Sequence, residues 1–249
     1  MNKKNRAVLV GSAGGILTEV AQQLAGAGHN LVLVDRDSGA LEVQARELPA
    51  GSVEDLVQLD VTEPDAVREK LGTVSESFHP HILINGVGGD TRVIGYADLE
   101  VSHFQQTYIE NVIGTFSAIK AVAPQMAADG YGRIVNFASA GGRTYSHFNN
   151  AAYVGAKAAV IGMTKQIAYE LAESGVVANV VAHGPIATSR VAGAWERRDP
   201  KQKDEVLSKL PMRRMGSVEE AAGSVLHFAS ESAGYTTGAV LDVNGGVYM

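Results

Sequence analysis

Short runs of apolar, often β-branched residues alternate with longer amphipathic segments along most of this chain, and this alternation constrains the fold more than any other feature. Continuously apolar strands are typical of parallel sheets covered on both faces, with a helix between consecutive strands. The sequence therefore predicts an α/β fold with a doubly wound parallel sheet of about seven strands and helices on both faces. The predicted strands are residues 7–10, 31–34, 56–59, 82–84, 134–137, 176–181 and 239–243.

No repeat, low-complexity tract or linker divides the sequence, so residues 1–249 are expected to form a single domain. Residues 190–214 break the alternation with a polar stretch that holds eight basic and four acidic residues, in a chain of net charge -6. Long connections in α/β domains are usually lids or binding loops, so this segment predicts a lid over a substrate site. Helices are predicted at residues 16–27, 39–47, 64–77, 101–128, 151–173 and 218–230.

Composition excludes several classes of function. The net negative charge argues against a general nucleic-acid binder, and no apolar run approaches the roughly 20 residues of a membrane-spanning helix. The chain has no cysteine, which excludes disulfides, thiol nucleophiles and cysteine-based zinc sites and fits a cytoplasmic protein. The seven histidines are scattered, so no metal site is expected.

A glycine-rich turn follows the first predicted strand and opens a helix. Gly11, Gly14, Gly15 and Ile16 carry this signal. Backbone N–H groups and the helix dipole at such a turn bind a pyrophosphate, as in Rossmann-type dinucleotide sites. Any tight strand-to-helix turn also uses glycine, so the turn alone is weak evidence.

The second signal is an acidic residue at the end of the second strand. Asp35 can accept hydrogen bonds from an adenosine ribose and would repel a 2′-phosphate, which favours NAD over NADP. An ordinary solvated acid at a strand end is the alternative, and the adjacent Arg36 weakens the discrimination between the two cofactors. Together with the glycine turn, Asp35 predicts a dinucleotide site with NAD as the cofactor.

Tyr153 and Lys157 lie four residues apart in a predicted helix, and no other tyrosine of the chain has a basic residue at that spacing. Side chains at this spacing lie on one helix face, so the ammonium favours the ionised phenol. An unperturbed tyrosine, with a pKa of about 10, is too weakly ionised to act as a base at neutral pH. The pair therefore predicts a tyrosine base, the alternative being a core tyrosine beside a solvated lysine.

Further motifs appear in order along the chain, and with them the sequence resembles the short-chain dehydrogenase/reductase family over essentially its whole length. The resemblance places Asp60 and Val61 beside the adenine ring and matches Asn85 and Gly86 to a segment after the fourth strand. It also implies that the residues after the sixth strand contact the nicotinamide. Those residues are Gly184, Ile186 and Thr188.

The resemblance also completes a catalytic set of Asn111, Ser139, Tyr153 and Lys157. It implies that Tyr153 exchanges a proton with the substrate oxygen and that Ser139 hydrogen-bonds this oxygen. Lys157 would lower the pKa of Tyr153 and bind the nicotinamide ribose, and Asn111 would support a water relay. The implied activity is an NAD-dependent interconversion of a secondary alcohol and a ketone by hydride transfer.

The sequence departs from the family pattern at Val10, Leu17, Gly86 and His183, where the family usually has Thr, Gly, Asn and Pro. Leu17 matters most, because glycine there normally allows close packing of the first helix against the sheet. The leucine should either displace that helix or turn its side chain away from the pyrophosphate. These departures leave open a second hypothesis, a non-catalytic partner subunit of a hetero-oligomeric dehydrogenase with a weakened cofactor site.

The expected partner is a small alcohol or ketone. The basic 190–214 segment suggests an anionic or coenzyme-A-linked hydroxyacyl substrate, because guanidinium groups suit carboxylate and phosphate. A solvated charged lid or an assembly surface explains the same charge equally well. The resemblance also suggests a homotetramer or homodimer built on the long helices and the C-terminal segment. The candidate substrate residues are Arg92, Arg143, His147, Arg197 and Arg198.

Overall fold

The computed structural model describes residues 5–90 and 92–249, without the side chains of Arg190 and Ala194. The seven strands form one parallel sheet in the order β3-β2-β1-β4-β5-β6-β7. This confirms the doubly wound parallel sheet. The strands are β1 (Arg6–Val10), β2 (Asn30–Asp35), β3 (Val53–Gln58), β4 (Ile82–Asn85), β5 (Gly132–Ser139), β6 (Val176–His183) and β7 (Val240–Val243).

The helices alternate with the strands, as expected from the sequence pattern. Two differences stand out: the predicted helix 101–128 is divided by a π-helical turn at Ile109–Ile113, and the 190–214 segment contains two short helices. The helices are α1 (Gly15–Gly26), α2 (Ser38–Glu47), α3 (Pro64–Phe78), α4 (Val101–Tyr108), α5 (Gly114–Ala128), α6 (Ala151–Leu171), α7 (Ser189–Glu196), α8 (Pro200–Ser208) and α9 (Val218–Ala229).

Strand β3 begins three residues earlier than predicted, at Val53. Its first half contains Glu54 and Asp55, and these charged residues interrupt the apolar run that predicts a buried strand. Because β3 lies at the edge of the sheet, both acidic side chains reach solvent without the cost of burying a charge.

Two apolar layers cover the two faces of the sheet, because successive side chains of a strand point to opposite faces. In β1, Val8 and Val10 join the cluster that α3 and α5 cover, whereas Ala7 and Leu9 join the cluster under α1 and α9. Burial on both faces explains why the central strands are continuously apolar.

The strand order reverses direction between β1 and β4, which are neighbours in the sheet. The chain fills one half of the sheet with β1 to β3 and then crosses to build the other half with β4 to β7. Such a switch point leaves a crevice at the carboxyl ends of the strands, where α/β proteins bind their ligands. Among the described residues, none of the helices combines the length and apolar character that a bilayer span requires.

Candidate active site

A cleft of about 710 Å³ opens at the carboxyl ends of β1, β4, β5 and β6. The glycine turn after β1 lines one part of it, and Ser139, Tyr153 and Lys157 line another. Residues of the 190–214 segment and the last residues of the chain complete the wall. The predicted dinucleotide turn and three of the four predicted catalytic residues therefore face one space.

The glycine turn is too crowded for side chains. Gly11 has a φ of +81°, and a Cβ there would lie 3.1 Å from the backbone of Gly86. A Cβ on Gly15 would lie 3.0 Å from the Cβ of Thr188. Among the described residues no side chain caps the first turn of α1, so its N–H groups remain available to an anion. The turn therefore fits the pyrophosphate of a dinucleotide.

The predicted adenosine-side residues lie outside the cleft wall, at the ends of β2 and β3. Asp35 accepts hydrogen bonds from the backbone N–H groups of Ala13, at 3.1 Å, and Asp37, at 3.2 Å, and so ties the glycine turn to β2. The backbone N–H of Thr62 has the largest effect in holding the pKa of Asp60 below its ordinary value, and Arg36 adds a smaller one. Both carboxylates are thus available as acceptors.

Val61 and Asn85 have packing roles next to the site. Val61 lies so close to Gly114 of α5 that a Cβ on this glycine would approach it to 2.8 Å. The side-chain amide of Asn85 donates to Asn136 at 2.8 Å, and Asn136 donates to Thr164 of α6 at 2.9 Å. This buried chain of hydrogen bonds fixes the end of β4 relative to β5 and α6.

Tyr153 lies in the first turn of α6, and Lys157 follows it one turn later. The Nζ of Lys157 is 5.7 Å from the centre of the Tyr153 ring and donates a hydrogen bond to the carbonyl of Phe137 at 3.0 Å. Ser139 ends β5, and its Oγ accepts a hydrogen bond from the N–H of Gly141 at 3.2 Å. Strand β5 thus delivers both the serine and the carbonyl that orients the lysine.

Burial lowers the pKa of Lys157 from 10.5 to about 8. The side chain is only 3% exposed, yet at neutral pH most of the population still carries the charge. A buried ammonium beside a phenol interacts with it more strongly than a solvated one would, because water screens less. This electrostatic arrangement suits a tyrosine that must lose its proton.

Asn111 is fully buried behind the cleft, in the π-helical turn between α4 and α5. Its amide donates to the carbonyl of Thr107 at 2.9 Å, while its Oδ1 has no hydrogen-bond partner within the described part of the chain and lies against Gly88. Gly88 has a φ of +86° and no Cβ, which makes room for this contact. The wider turn accommodates one additional residue, a feature that often marks functional positions in helices.

Comparison with known proteins agrees with this geometry. Residues 11–248 match the family model described as Enoyl-(Acyl carrier protein) reductase. The chain belongs to the short-chain dehydrogenase/reductase family. It is accordingly a dehydrogenase or reductase that acts on alcohol and ketone groups and uses a nicotinamide cofactor.

Curated relatives of this dehydrogenase have different substrates in their names. It is 34% identical to 2-dehydro-3-deoxy-L-rhamnonate dehydrogenase (NAD(+)) of a Sphingomonas species, covering 96% of this chain and 94% of the relative. It is also 34% identical to the 3-oxoacyl-[acyl-carrier-protein] reductase FabG of Staphylococcus epidermidis, over all of both chains.

Of two solved structures similar to this chain, one has NAD bound and the other has NADP bound. A 3-oxoacyl-[acyl-carrier protein] reductase from Brucella melitensis with bound NAD has a TM-score of 0.87 and 26% identity, covering 100% of this chain and 92% of the other. ElxO with NADP bound has a TM-score of 0.89 and 25% identity, covering 98% of each chain.

Two departures of this dehydrogenase from the family pattern lie in contact. A Cβ on Gly86 would lie 2.6 Å from Cδ1 of Leu17, so the leucine occupies the space that a side chain at position 86 would need. Leu17 is 2% exposed and belongs to the apolar cluster under α1 and α9. The extra side chain at position 17 is thus offset by the missing one at position 86.

Another departure, His183, lies across from Ser139 in the β5–β6 register. Its ring packs edge-on against Phe137, with centres 4.9 Å apart, and no described residue forms a hydrogen bond with its Nε2. Burial has the largest effect in lowering the pKa of His183 to about 4. A hydrogen bond with the backbone of Ala221 opposes this shift, and the charge of Lys157 adds to it. The imidazole is therefore neutral at pH 7.

The predicted substrate residues divide into two groups. His147 and Arg198 line the cleft. Arg143 instead pairs with Asp242 at 3.2 Å, Arg92 pairs with Asp90 at 3.1 Å, and Arg197 lies outside the cleft wall. The structure thus brings only His147 and Arg198 of this set together with the catalytic residues.

The residues of the cleft wall that the sequence reasoning missed include Lys209, Tyr248 and Met249. Lys209 follows α8, and its only sequence signal was the positive charge of the 190–214 segment. No sequence signal placed the last two residues of the chain at the site.

Proposed function

We propose that this dehydrogenase uses NAD to interconvert a secondary alcohol and a ketone, with Tyr153 as the general acid and base. The observation that carries the proposal is the shared cleft, which Tyr153, Lys157 and Ser139 line together with the glycine turn. Neither the site nor the names of the relatives favours the alternative of a non-catalytic partner subunit.

The proposed mechanism assigns one task to each side chain. In the oxidative direction the Tyr153 phenolate takes the hydroxyl proton of the substrate, and Ser139 donates a hydrogen bond to the same oxygen. Lys157 keeps the phenolate stable with its buried charge, and Asn111 supports a water relay behind it. The glycine turn and Lys157 would hold NAD, which would supply the acceptor for the hydride from the carbon of the alcohol.

NAD is the proposed cofactor because a carboxylate, Asp35, ends β2. Its pairing with the N–H of Ala13 sets it beside the glycine turn, where an adenosine ribose follows the pyrophosphate. Arg36 is the counterargument, since a guanidinium can bind a 2′-phosphate. Catalytic efficiency with NADP equal to that with NAD would show that Arg36 governs the choice.

An anionic substrate is the proposed class, because Arg198 and Lys209 line the cleft wall, where Arg198 brings positive charge and Lys209 is paired at 3.5 Å with Glu205. The carboxylate of Asp90 also lines the cleft, but four hydrogen bonds already occupy its oxygens. Initial rates with 3-hydroxybutanoate, its coenzyme A thioester, a sugar acid and a cyclic alcohol test this class. Turnover of the neutral alcohol alone would contradict it.

The decisive experiment for the function is Tyr153→Phe, with the exposed Tyr169→Phe on the same helix as its control. Loss of the proton-transfer group should reduce turnover by at least about a hundredfold while NAD binding, measured by calorimetry, is retained. Tyr169→Phe should match the parent. A Tyr153→Phe enzyme that turns over normally would remove the assignment.

We also propose that the dehydrogenase forms homo-oligomers through its long helices. Phe104, Ile109, Ile113 and Phe116 leave a series of apolar side chains partly exposed along α4, the π-helical turn and α5. Contiguous exposed apolar surface is typical of an interface. Light scattering on the parent and on Phe116→Glu tests this, and a monomeric parent would contradict it.

A further inference from the structure

The carboxylate of Asp90 joins three separate elements beside the cleft. Asp90 follows β4, and its Oδ2 accepts hydrogen bonds from Nε2 of His103 in α4, at 2.6 Å, and from the side-chain amide of Asn150, at 2.8 Å. Its Oδ1 accepts from the backbone N–H of Arg92, at 3.0 Å, and from the Nε of the same arginine, at 3.1 Å. We name this arrangement the Asp90 hub.

The hub reaches the proposed base through one further residue. Asn150 precedes α6, and its Oδ1 accepts the backbone N–H of Tyr153 at 3.1 Å, which caps the helix. The neighbouring Asn149 donates its side-chain amide to the carbonyl of Asp90 at 2.8 Å. The two residues before α6 are thus both fastened to Asp90, and one of them holds the backbone of Tyr153.

Asp90 has no capacity left for a substrate hydroxyl. A carboxylate offers about four acceptor positions, and four N–H groups already fill those of Asp90. Its side chain is only 4% exposed. Burial acts to raise the pKa of Asp90, but the hydrogen bonds from Asn150, Arg92 and His103 outweigh it and hold this pKa below its ordinary value. The group is therefore an ionised structural acceptor at the edge of the cleft.

We propose that the Asp90 hub is a positioning device for Tyr153, which sets the phenol relative to Lys157 through Asn150 and the first turn of α6. The inference rests on the proposed role of Tyr153 as the base. Helix α6 packs against α4, so a carboxylate that binds both helices and the end of β4 fixes the helix start against two neighbours. Proton transfer is sensitive to displacements of this catalytic group of about 1 Å.

Asn150→Ser is the sharpest test, because serine still caps a helix but cannot donate to Asp90 as the longer amide does. We expect kcat to fall at least about tenfold, with KM and the dissociation constant for NAD within about threefold of the parent. Asp90→Asn should give the same pattern, because the N–H groups of the new side-chain amide would face the N–H donors of His103 and Asn150 and could not accept from them. The substrate is the panel compound with the highest turnover.

The matched control is Asp129→Asn at the far end of the molecule. There Asp129 accepts from His79 at 3.0 Å, so the same residue types form a pair remote from the cleft. This variant should retain the kcat of the parent. A partial rescue adds a second control: Asp90→Asn combined with Asn150→Asp exchanges donor and acceptor and should recover part of the lost kcat.

A readout without substrate separates failure of this proposal from failure of the proposed function. The ultraviolet absorbance of the phenolate, taken as parent minus Tyr153→Phe, gives the midpoint of Tyr153 ionisation. Asn150→Ser should move this midpoint to higher pH, because the phenol leaves its position beside Lys157. An unchanged midpoint, a normal kcat in Asn150→Ser, or a loss confined to KM would each overturn the proposal, whether or not the panel contains a substrate.

Discussion

The cleft has one side that carries Tyr153 and another that carries the glycine turn, and the two sides differ in what constrains their residues. Tyr153, Lys157 and Ser139 match the family pattern one by one, and each has a proposed chemical task that another side chain would not perform. On the nucleotide side Leu17 and Gly86 both depart from the pattern, yet the side chain of Leu17 occupies the space that a side chain at position 86 would need. Chemistry is specified by residue type, whereas a close-packed wall is specified by summed volume.

The largest expected effect is on the Tyr153 side, where function and stability should oppose each other. Lys157→Met should reduce turnover between about a hundredfold and ten-thousandfold, because the phenolate loses its charge partner. The same change should stabilise the fold at pH 7. A shift of the Lys157 pKa from 10.5 to about 8 corresponds to roughly 3 kcal/mol, and the lost hydrogen bond to Phe137 would cost about 1 kcal/mol of this.

The direction of the Lys157 pKa shift determines the pH range over which the lysine destabilises the fold. The folded state binds the Lys157 proton less tightly than the unfolded state does, so the destabilisation is complete below about pH 8 and fades as the pH approaches 10.5. Urea unfolding of Lys157→Met should therefore show a gain at pH 7 that shrinks toward pH 10. Lys165→Met, an exposed lysine of the same helix, is the control. A variant less stable than the parent at pH 7 would show that the lysine is structural.

The next largest effect comes from a double-mutant cycle that tests whether the packing on the nucleotide side depends on the summed volume of positions 17 and 86. Leu17→Gly should lower the free energy of unfolding by about 3 kcal/mol or more, through a cavity and the low helix propensity of glycine. Gly86→Asn should also destabilise, since its side chain meets Leu17. The double variant, which restores the family residues, should lose at least about 1 kcal/mol less than the sum of the single changes.

Leu24 provides the control for this cycle, as a buried leucine of the same helix α1. Leu24→Gly combined with Gly86→Asn should be additive within about 0.5 kcal/mol, because these residues share no space. Calorimetry with NAD on the same variants connects packing to cofactor binding. Additive losses in the Leu17 cycle would mean that the two departures are independent and that the comparison between the two sides fails.

The features that the sequence predicted well are local. A strand pattern, a glycine turn and a tyrosine four residues before a lysine are visible within a few positions, and these elements lie where they were expected. The π-helical turn was missed, since one additional residue in a turn barely disturbs the apolar period of a long helix. The partners of Arg143 and Leu17 were missed because Asp242 and Gly86 are distant in the sequence and only tertiary packing joins them.

The smallest effect concerns His183, a departure beside Ser139 whose Nε2 has no hydrogen-bond partner among the described residues. The folded protein holds this imidazole neutral down to about pH 4, whereas the unfolded chain protonates it near pH 6.5. The unfolded state thus binds more protons below pH 6.5, and stability should fall by about 2 kcal/mol between pH 7 and pH 5 from this group alone. His183→Leu should remove that part of the slope in urea unfolding at several pH values.

His29 gives a graded comparison, because burial lowers its pKa too but its ring is only half-buried. His29→Leu should therefore remove a smaller part of the pH dependence of stability. An unchanged acid slope in His183→Leu would mean that the imidazole finds a partner on protonation, and this departure would then be offset as the one at Leu17 is.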